Sequence, residues 1–235
     1  CLNEVGNLAG IVTAIQSQSI PSLHILIVVD KSTDGTEKIA AKLQRQYPRQ
    51  ITAWQHPGPS SRAIAGKDAF SYCLNHQADV IIEMDADFSH HPKYIPIMLQ
   101  ELSKPGVDVV LGSRFLPGAS DSDRSAFRTF VSRLSGIVFR IILGIKLTDM
   151  GSGFKAYKRQ ALASINPQQL YSRKGLAISM ESIFRVIKNN FTVKEIPIVF
   201  KDRQVGESKL SWKDFFEPII VCLKLVLNLG RYYEK

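Results

Sequence analysis

One stretch constrains this chain more than any other: Val80-Ile81-Ile82-Glu83-Met84-Asp85-Ala86-Asp87-Phe88-Ser89-His90-His91-Pro92. A short apolar run that ends in carboxylates reads as a buried strand whose carboxyl end carries Asp85 and Asp87. Pro92 suits the first turn of a following helix, where its missing N–H is not needed. In open α/β sheets that edge is where ligands bind. Alternate residues of an extended segment point the same way, so the two acids can face one ligand. They repel each other unless a cation or donor groups lie between them. Mg²⁺ or Mn²⁺ on a nucleotide diphosphate would meet that need, because hard ions take oxygen ligands and share phosphate oxygens. A solvated turn with two helix-capping acids is the other reading of the same residues.

The rest of the chain supplies the frame. Glu4 to Gln18 has helical spacing, with Asn3 as a candidate N-cap. Leu23–Val29 reads as a strand that ends in the polar turn Asp30-Lys31-Ser32-Thr33-Asp34-Gly35-Thr36, with a helix over Thr36–Gln46 and Asp34 as its cap. Ile51–Trp54 reads as a strand and Ser60–His76 as a helix, followed by the strand into Asp85. Helix then runs to about Leu102, strand over Val107–Leu111, helix over Arg124–Leu143 and Ser179–Asn189, and strand over Thr192–Phe200, where Pro197 indicates an edge. Thr148–Phe154 reads as a glycine-rich loop. The alternation predicts an α/β fold with a mostly parallel, doubly wound sheet.

Charge is uneven. The net charge is +9, and all of the surplus lies after residue 100. A basic second half points to an anionic partner or to a solvated basic face. Nucleic acid ranks last, because aromatics are not interleaved on a basic face. Arg124, Arg128, Arg133 and Arg140 are spread along an otherwise apolar helix, which suits a membrane interface as well as a core-facing helix. Trp212–Leu229 is a second amphipathic stretch. No run reaches the roughly 18 apolar residues that span a bilayer. Cys1, Cys73 and Cys222 form neither a zinc spacing nor a disulfide framework, which fits a reducing compartment.

Six motifs in order resemble the family 2 glycosyltransferases of the GT-A fold, and among them the polyprenyl-phosphate (dolichyl-phosphate) mannose synthases. They are Leu2-Asn3-Glu4; Ile27-Val28-Val29-Asp30 through Asp34-Gly35-Thr36; Met84 to Lys93; Gly112-Ser113-Arg114-Phe115; Asp149 with Ser152-Gly153-Phe154; and Asp202-Arg203 with Gly206-Glu207-Ser208-Lys209-Leu210. The resemblance implies a GT-A domain over 1–210, with the family's opening strand lying before Cys1, and an amphipathic helix over 211–235. It implies inverting transfer of a sugar from a nucleotide sugar to a polyprenyl phosphate at the cytosolic membrane face. The protein would be peripheral, with a partner subunit as a possible anchor.

Residue roles follow the same resemblance. Asp87 is expected on the metal, Mg²⁺ or Mn²⁺, with Asp85 toward the metal or donor sugar and Ser89 where some members carry Gln. Asn3, Glu4, Asp30 and Asp85 fall on the donor side. Arg203 would neutralise the donor pyrophosphate through its fork, and Lys209 either joins it or is a solvated loop lysine. Arg114, Arg128 and Ser132 are expected on the acceptor phosphate; Arg128 and Ser132 share a helical face, and for Arg114 a structural ion pair is the alternative. Lys31 departs from the family pattern, in which a second acid follows Asp30, and Gly58, Arg62, Ala63 and Gly66 match its glycine loop only loosely. The resemblance makes GDP-mannose the leading donor; the departure at Lys31 bears on the base, and UDP-glucose or a non-catalytic nucleotide-binding role are the rivals.

Overall fold

The computed structural model describes residues 1–121, 126–175, 177–201 and 216–227, with the backbone alone for 126–128, 130 and 131. The order is α1 (Leu8–Gln16), β1 (Ile25–Val29), α2 (Thr36–Gln46), β2 (Ile51–Gln55), α3 (Arg62–Asn75), β3 (Val80–Glu83), α4 (Ile95–Leu102), β4 (Val109–Ser113), α5 (Ala126–Leu143), β5 (Lys155–Lys158), α6 (Arg159–Ser164), α7 (Ala177–Lys188), β6 (Val193–Pro197) and α8 (Phe216–Leu227). Strands and helices alternate, and helices cover both faces of the strands. Adjacent residues of one strand show this: Val110 and Ala156 belong to a cluster with α1, α2 and α4, while Val109 and Tyr157 belong to one with α3, α6 and α7. A third cluster joins α5, α7 and α8.

One strand, β5, departs from the mostly parallel arrangement that the alternation predicted. β1 and β2 pair in parallel, and β4 and β6 pair in parallel, but β5 lies antiparallel between β3 and β4. The sequence hid β5 because it is only Lys-Ala-Tyr-Lys, with a lysine at each end. Its register explains the oddity. Lys155 stands opposite Glu83, and its fully buried ammonium lies 3.0 Å from the Glu83 carboxylate and 2.9 Å from the Ser152 carbonyl. A buried charge is tolerated when it is paired and hydrogen-bonded. β6 lies at the sheet edge, as Pro197 indicated.

Among the described residues the two sheets do not join. Cys1 lies alongside β1: its nitrogen donates to the Val28 carbonyl and its carbonyl accepts from Asp30 N–H, the pattern of a parallel bridge. α1 is shorter than expected. Its N-cap is Asn7 rather than Asn3; Gly35, at φ 93°, directly precedes α2, and the Asp34 carboxylate accepts from the N–H of Thr36, the first residue of that helix, at 3.0 Å.

Phe154 ties these layers to the loop edge. It is fully buried, and its ring lies against Gly112, where a side chain would meet both Phe154 and Ile198. Truncating it to Ala is expected to cost about 3–5 kcal/mol, measured by urea unfolding; a loss under about 1 kcal/mol would show that the ring is not a core element.

Candidate functional site

The site lies where β3 runs out. Asp85 follows the strand, and Asp87, Phe88 and Ser89 form the turn beyond it. Phe88 takes the left-handed conformation, φ 63°, which is uncommon for a bulky residue and is often kept at functional sites. Its ring is held against Gly10 of α1, where an added Cβ would come within 3.3 Å of it. With the turn fixed, Ser89 closes on Asp87 through both its N–H (3.1 Å) and its hydroxyl (2.6 Å), each to Oδ1. Asp87 and Ser89 are both buried. Ser89 therefore holds Asp87 in place.

Asp85 is held from two other sides. Arg62, at the start of α3, places a guanidinium nitrogen 3.0 Å from Oδ1. Asp85 N–H donates to His90 Nδ1 at 3.0 Å. Nδ1 is thus the acceptor, and burial pushes the imidazole below its ordinary pKa although Asp85 pulls the other way. His90 stacks on Phe154 at 5.2 Å. For Arg62, Asp85 raises the pKa most, against the cost of burial, with Glu83 and Asp87 adding to it. Gly153 gives Arg62 its room: a Cβ there would lie 2.3 Å from the guanidinium. The sequence flagged both Gly153 and Arg62 without joining them.

Arg62 is itself set by its neighbours. Ser61 caps α3, its hydroxyl bonding the carbonyls of Arg173 (2.6 Å) and Lys174 (2.7 Å), while Ala63 N–H donates to the Lys174 carbonyl. The N–H groups of Arg173, Lys174 and Gly175 in turn converge on the Glu217 carboxylate of α8, at 2.6, 2.7 and 3.1 Å. A chain of hydrogen bonds so connects the last helix to the acid pair. Nothing in the sequence spacing marked Glu217.

On the other side of β1, Asp30 is buried, and its carboxylate accepts from Lys31 N–H and the Ser60 hydroxyl. Asn3 and Glu4 meet the same turn: Asn3 accepts from Thr33 N–H, and Glu4 N–H donates to Thr36. Three of the expected donor residues, Asn3, Glu4 and Asp30, thereby lie around the β1–α2 turn.

The expected acceptor residues fare unevenly. Arg114 makes a two-pronged pair with Asp149, Nε at 2.7 Å and Nη2 at 2.8 Å, and its backbone N–H bonds the same carboxylate. Burial works against the charge, but Asp149 more than offsets it and the pKa ends raised. Asp149 is fixed through its own N–H by Glu195, which also takes Thr148. The structural ion pair weighed as an alternative for Arg114 is thus present. Arg114 still stacks over Phe115, as does Arg133 of α5, at 5.2 and 5.3 Å. Ser132 lies on α5, partly buried. The Arg128 side chain, and all of Asp202, Arg203 and Lys209, lie outside the described residues.

The oxygen-rich pair fits a divalent ion only in company. Among the described residues no three His, Cys, Asp or Glu side chains group to hold a metal. Two carboxylates suffice where a nucleotide supplies the remaining oxygens, the usual arrangement for Mg²⁺.

This geometry has a known setting. Residues 1–165 match the family described as Glycosyl transferase family 2, and the chain belongs to that family. More particularly, the chain is a glycosyltransferase similar to polyprenyl-phosphate mannosyltransferases. It is 32% identical over 217 residues to the polyprenol monophosphomannose synthase of Mycolicibacterium smegmatis, covering 92% of this chain and 81% of that protein. It is 33% identical over 195 residues to the undecaprenyl-phosphate mannosyltransferase of Micrococcus luteus, covering 82% and 78%. Glucosyl-3-phosphoglycerate synthase from Mycobacterium tuberculosis, solved with UDP, superposes with a TM-score of 0.65 at 16% identity, over 98% of this chain and 78% of that one. The same enzyme solved with Mn²⁺, UDP-glucose and phosphoglyceric acid gives 0.64 at 16% identity, over 97% and 76%. These likenesses show a GT-A-like α/β fold.

Arg62 and a metal ion would compete for Asp85. Arg62 is 41% exposed, so the pair is worth up to about 1 kcal/mol. Arg62→Gln is expected to raise Mn²⁺ affinity of the protein saturated with a nucleoside diphosphate about two- to fivefold by that measure, read from the Mn²⁺ paramagnetic resonance signal. Unchanged or weaker binding would place the metal away from Asp85.

Proposed function

We propose that this chain transfers a sugar, with mannose from GDP-mannose as the leading case, to a polyprenyl phosphate at the cytoplasmic face of a membrane, with inversion. The observation that carries the reading is the Asp85/Asp87 pair fixed at the strand end by Ser89, His90 and Arg62. The names of the two curated relatives support the lipid acceptor and the mannosyl group.

In this reading Asn3, Glu4 and Asp30 hold the nucleoside end of the donor, and Asp85 faces its sugar. Asp87 and Asp85, with Ser89, would hold Mg²⁺ or Mn²⁺. Bound there, the ion would share the donor's phosphate oxygens and offset the charge of the departing diphosphate. Arg203 and Lys209 would add cations on that side. Arg114, Arg128 and Ser132 would orient the acceptor phosphate.

The chemistry needs no general base. A phosphate monoester has a second pKa near roughly 6, so the acceptor is largely dianionic at neutral pH and already nucleophilic. Its oxygen forms a bond to the anomeric carbon as the bond from that carbon to the diphosphate oxygen breaks. The electron pair leaves with the nucleoside diphosphate. A single in-line displacement inverts the anomeric centre. What the protein contributes is alignment and charge compensation. A cationic surround is needed because donor and acceptor are both anions.

No helix among the described residues is long and apolar enough to cross a membrane. The exposed apolar faces of α5 and α8 support a peripheral attachment, alone or with an anchoring partner subunit.

The test is label transfer into the lipid phase from GDP-mannose and UDP-glucose in parallel, with a short polyprenyl phosphate, with and without Mg²⁺ or Mn²⁺. Metal-dependent transfer from GDP-mannose alone is expected. Transfer from UDP-glucose alone would keep the reaction and change the donor; binding of nucleotide with no transfer from either would favour a non-catalytic role. Arg128→Ala is expected to raise the KM for polyprenyl phosphate about tenfold or more, the loss of one charge-assisted hydrogen bond, while nucleotide affinity stays put. An equal loss of nucleotide affinity would move Arg128 to the donor side.

A further inference from the structure

The backbone N–H groups of residues 171 to 175 are all accepted by carboxylates, and two glutamates divide them. Glu181 of α7, fully buried and paired with Arg185, takes Tyr171 at 2.7 Å and Ser172 at 2.8 Å. Glu217, half-buried at the start of α8, takes Arg173, Lys174 and Gly175. The part held by Glu217 is the part that meets α3. The Arg173 and Lys174 carbonyls accept from the Ser61 hydroxyl, and that of Lys174 also accepts from Ala63 N–H at 2.8 Å. A Cβ added to Gly175 would lie 4.0 Å from the Cβ of Arg62.

A glutamate in the first turn of a helix commonly serves that helix's own N–H groups and dipole. Glu217 spends both oxygens on the loop instead, Oε1 on Arg173 and Lys174 and Oε2 on Gly175. The loop in turn holds Ser61 and Ala63. Arg62 stands between these two, with its guanidinium 3.0 Å from Asp85. The residue that pairs with Asp85 is therefore flanked on both sides by residues bonded to the segment that Glu217 fixes. Without the carboxylate, three N–H groups lose their acceptor, and the first turn of α3 loses the carbonyls that orient it.

We propose that Glu217 is a positioning residue for the acid pair: through residues 173–175 it sets Arg62 on Asp85, and so sets how readily a divalent ion displaces that arginine. The proposal rests on the reading of Asp85 as a residue of the metal and donor site. Glu217 itself is assigned no contact with donor, acceptor or ion.

The test is a double-mutant cycle on the Mn²⁺ affinity of the protein saturated with GDP, read by paramagnetic resonance, with Glu217→Gln and Arg62→Gln made singly and together. Glu217→Gln keeps the side chain's length and removes the charge that draws the three N–H groups. It is expected to raise Mn²⁺ affinity about two- to fivefold, no further than Arg62→Gln does. In the Arg62→Gln background it is expected to add nothing, because residues acting through one contact are not additive. A gain of equal size in both backgrounds overturns the proposal, as does a loss, or no change where Arg62→Gln alone gives a gain. A purely structural role lowers the urea midpoint alike in both backgrounds and leaves Mn²⁺ affinity where it was. A second readout needs no metal: the ¹⁵N NMR signal of the Arg62 guanidinium, assigned by its absence from Arg62→Gln. Glu217→Gln is expected to shift it, and an unmoved signal overturns the proposal. Unchanged Mn²⁺ affinity in Arg62→Gln alone counts against the metal reading of Asp85, and the NMR signal then still decides the part played by Glu217. Where Glu217→Gln does not fold, Ser61→Ala cuts the same link at its other end and is expected to give the same cycle.

Discussion

The structure depends on keeping two carboxylates together at the end of one strand. Left alone, Asp85 and Asp87 would repel and spread. The fold prevents this with short-range groups. Ser89 holds Asp87 from within the turn, Arg62 holds Asp85 from α3, and Lys155 carries a buried positive charge two residues back, on Glu83. Burial lowers the pKa of that ammonium, and Glu83 opposes the shift. The register of the antiparallel β5 sets Lys155 opposite Glu83, and the glycine at 153 leaves space for Arg62.

Holding the acids this way has a cost and a use. Phe88 accepts a left-handed backbone, and Lys155 gives up water. Such concessions persist where the surrounding structure fixes them: Phe88 by α1, Lys155 by Glu83 and Ser152. In the proposed function the use is a site for a cation and the phosphates of a nucleotide, with Arg62, 41% exposed, as the partner that would give way. The same arginine is linked through Ser61 and the 173–175 loop to Glu217 on α8. The helix that bears the exposed apolar face and the acid pair therefore share one set of hydrogen bonds.

Much of this was legible in the sequence. The apolar run into Asp85 and Asp87 marked the strand end, the β-branched run before Asp30 marked β1, and Pro197 marked the edge strand. The family followed from six motifs in order. What stayed hidden has physical reasons. β5 is four residues long and begins with a lysine that turns inward, so neither length nor alternation announced it. The Arg114–Asp149 pair and the Glu217 anchor join residues 35 and 42 to 44 positions apart, beyond the reach of any local pattern. Arg62 was visible only as an irregularity in a loose glycine loop. Its role depends on Gly153, far along the chain, having no side chain.

The central claim is that Asp87 is where a divalent ion and the donor diphosphate meet. The most direct measurement is ³¹P relaxation of GDP bound to this chain with substoichiometric Mn²⁺, compared between the natural sequence and Asp87→Ala. The account predicts strong broadening of both phosphate signals in the natural sequence, and its loss in Asp87→Ala with the fold unchanged by circular dichroism. Equal broadening in the two proteins would place the ion on other residues and contradict the account.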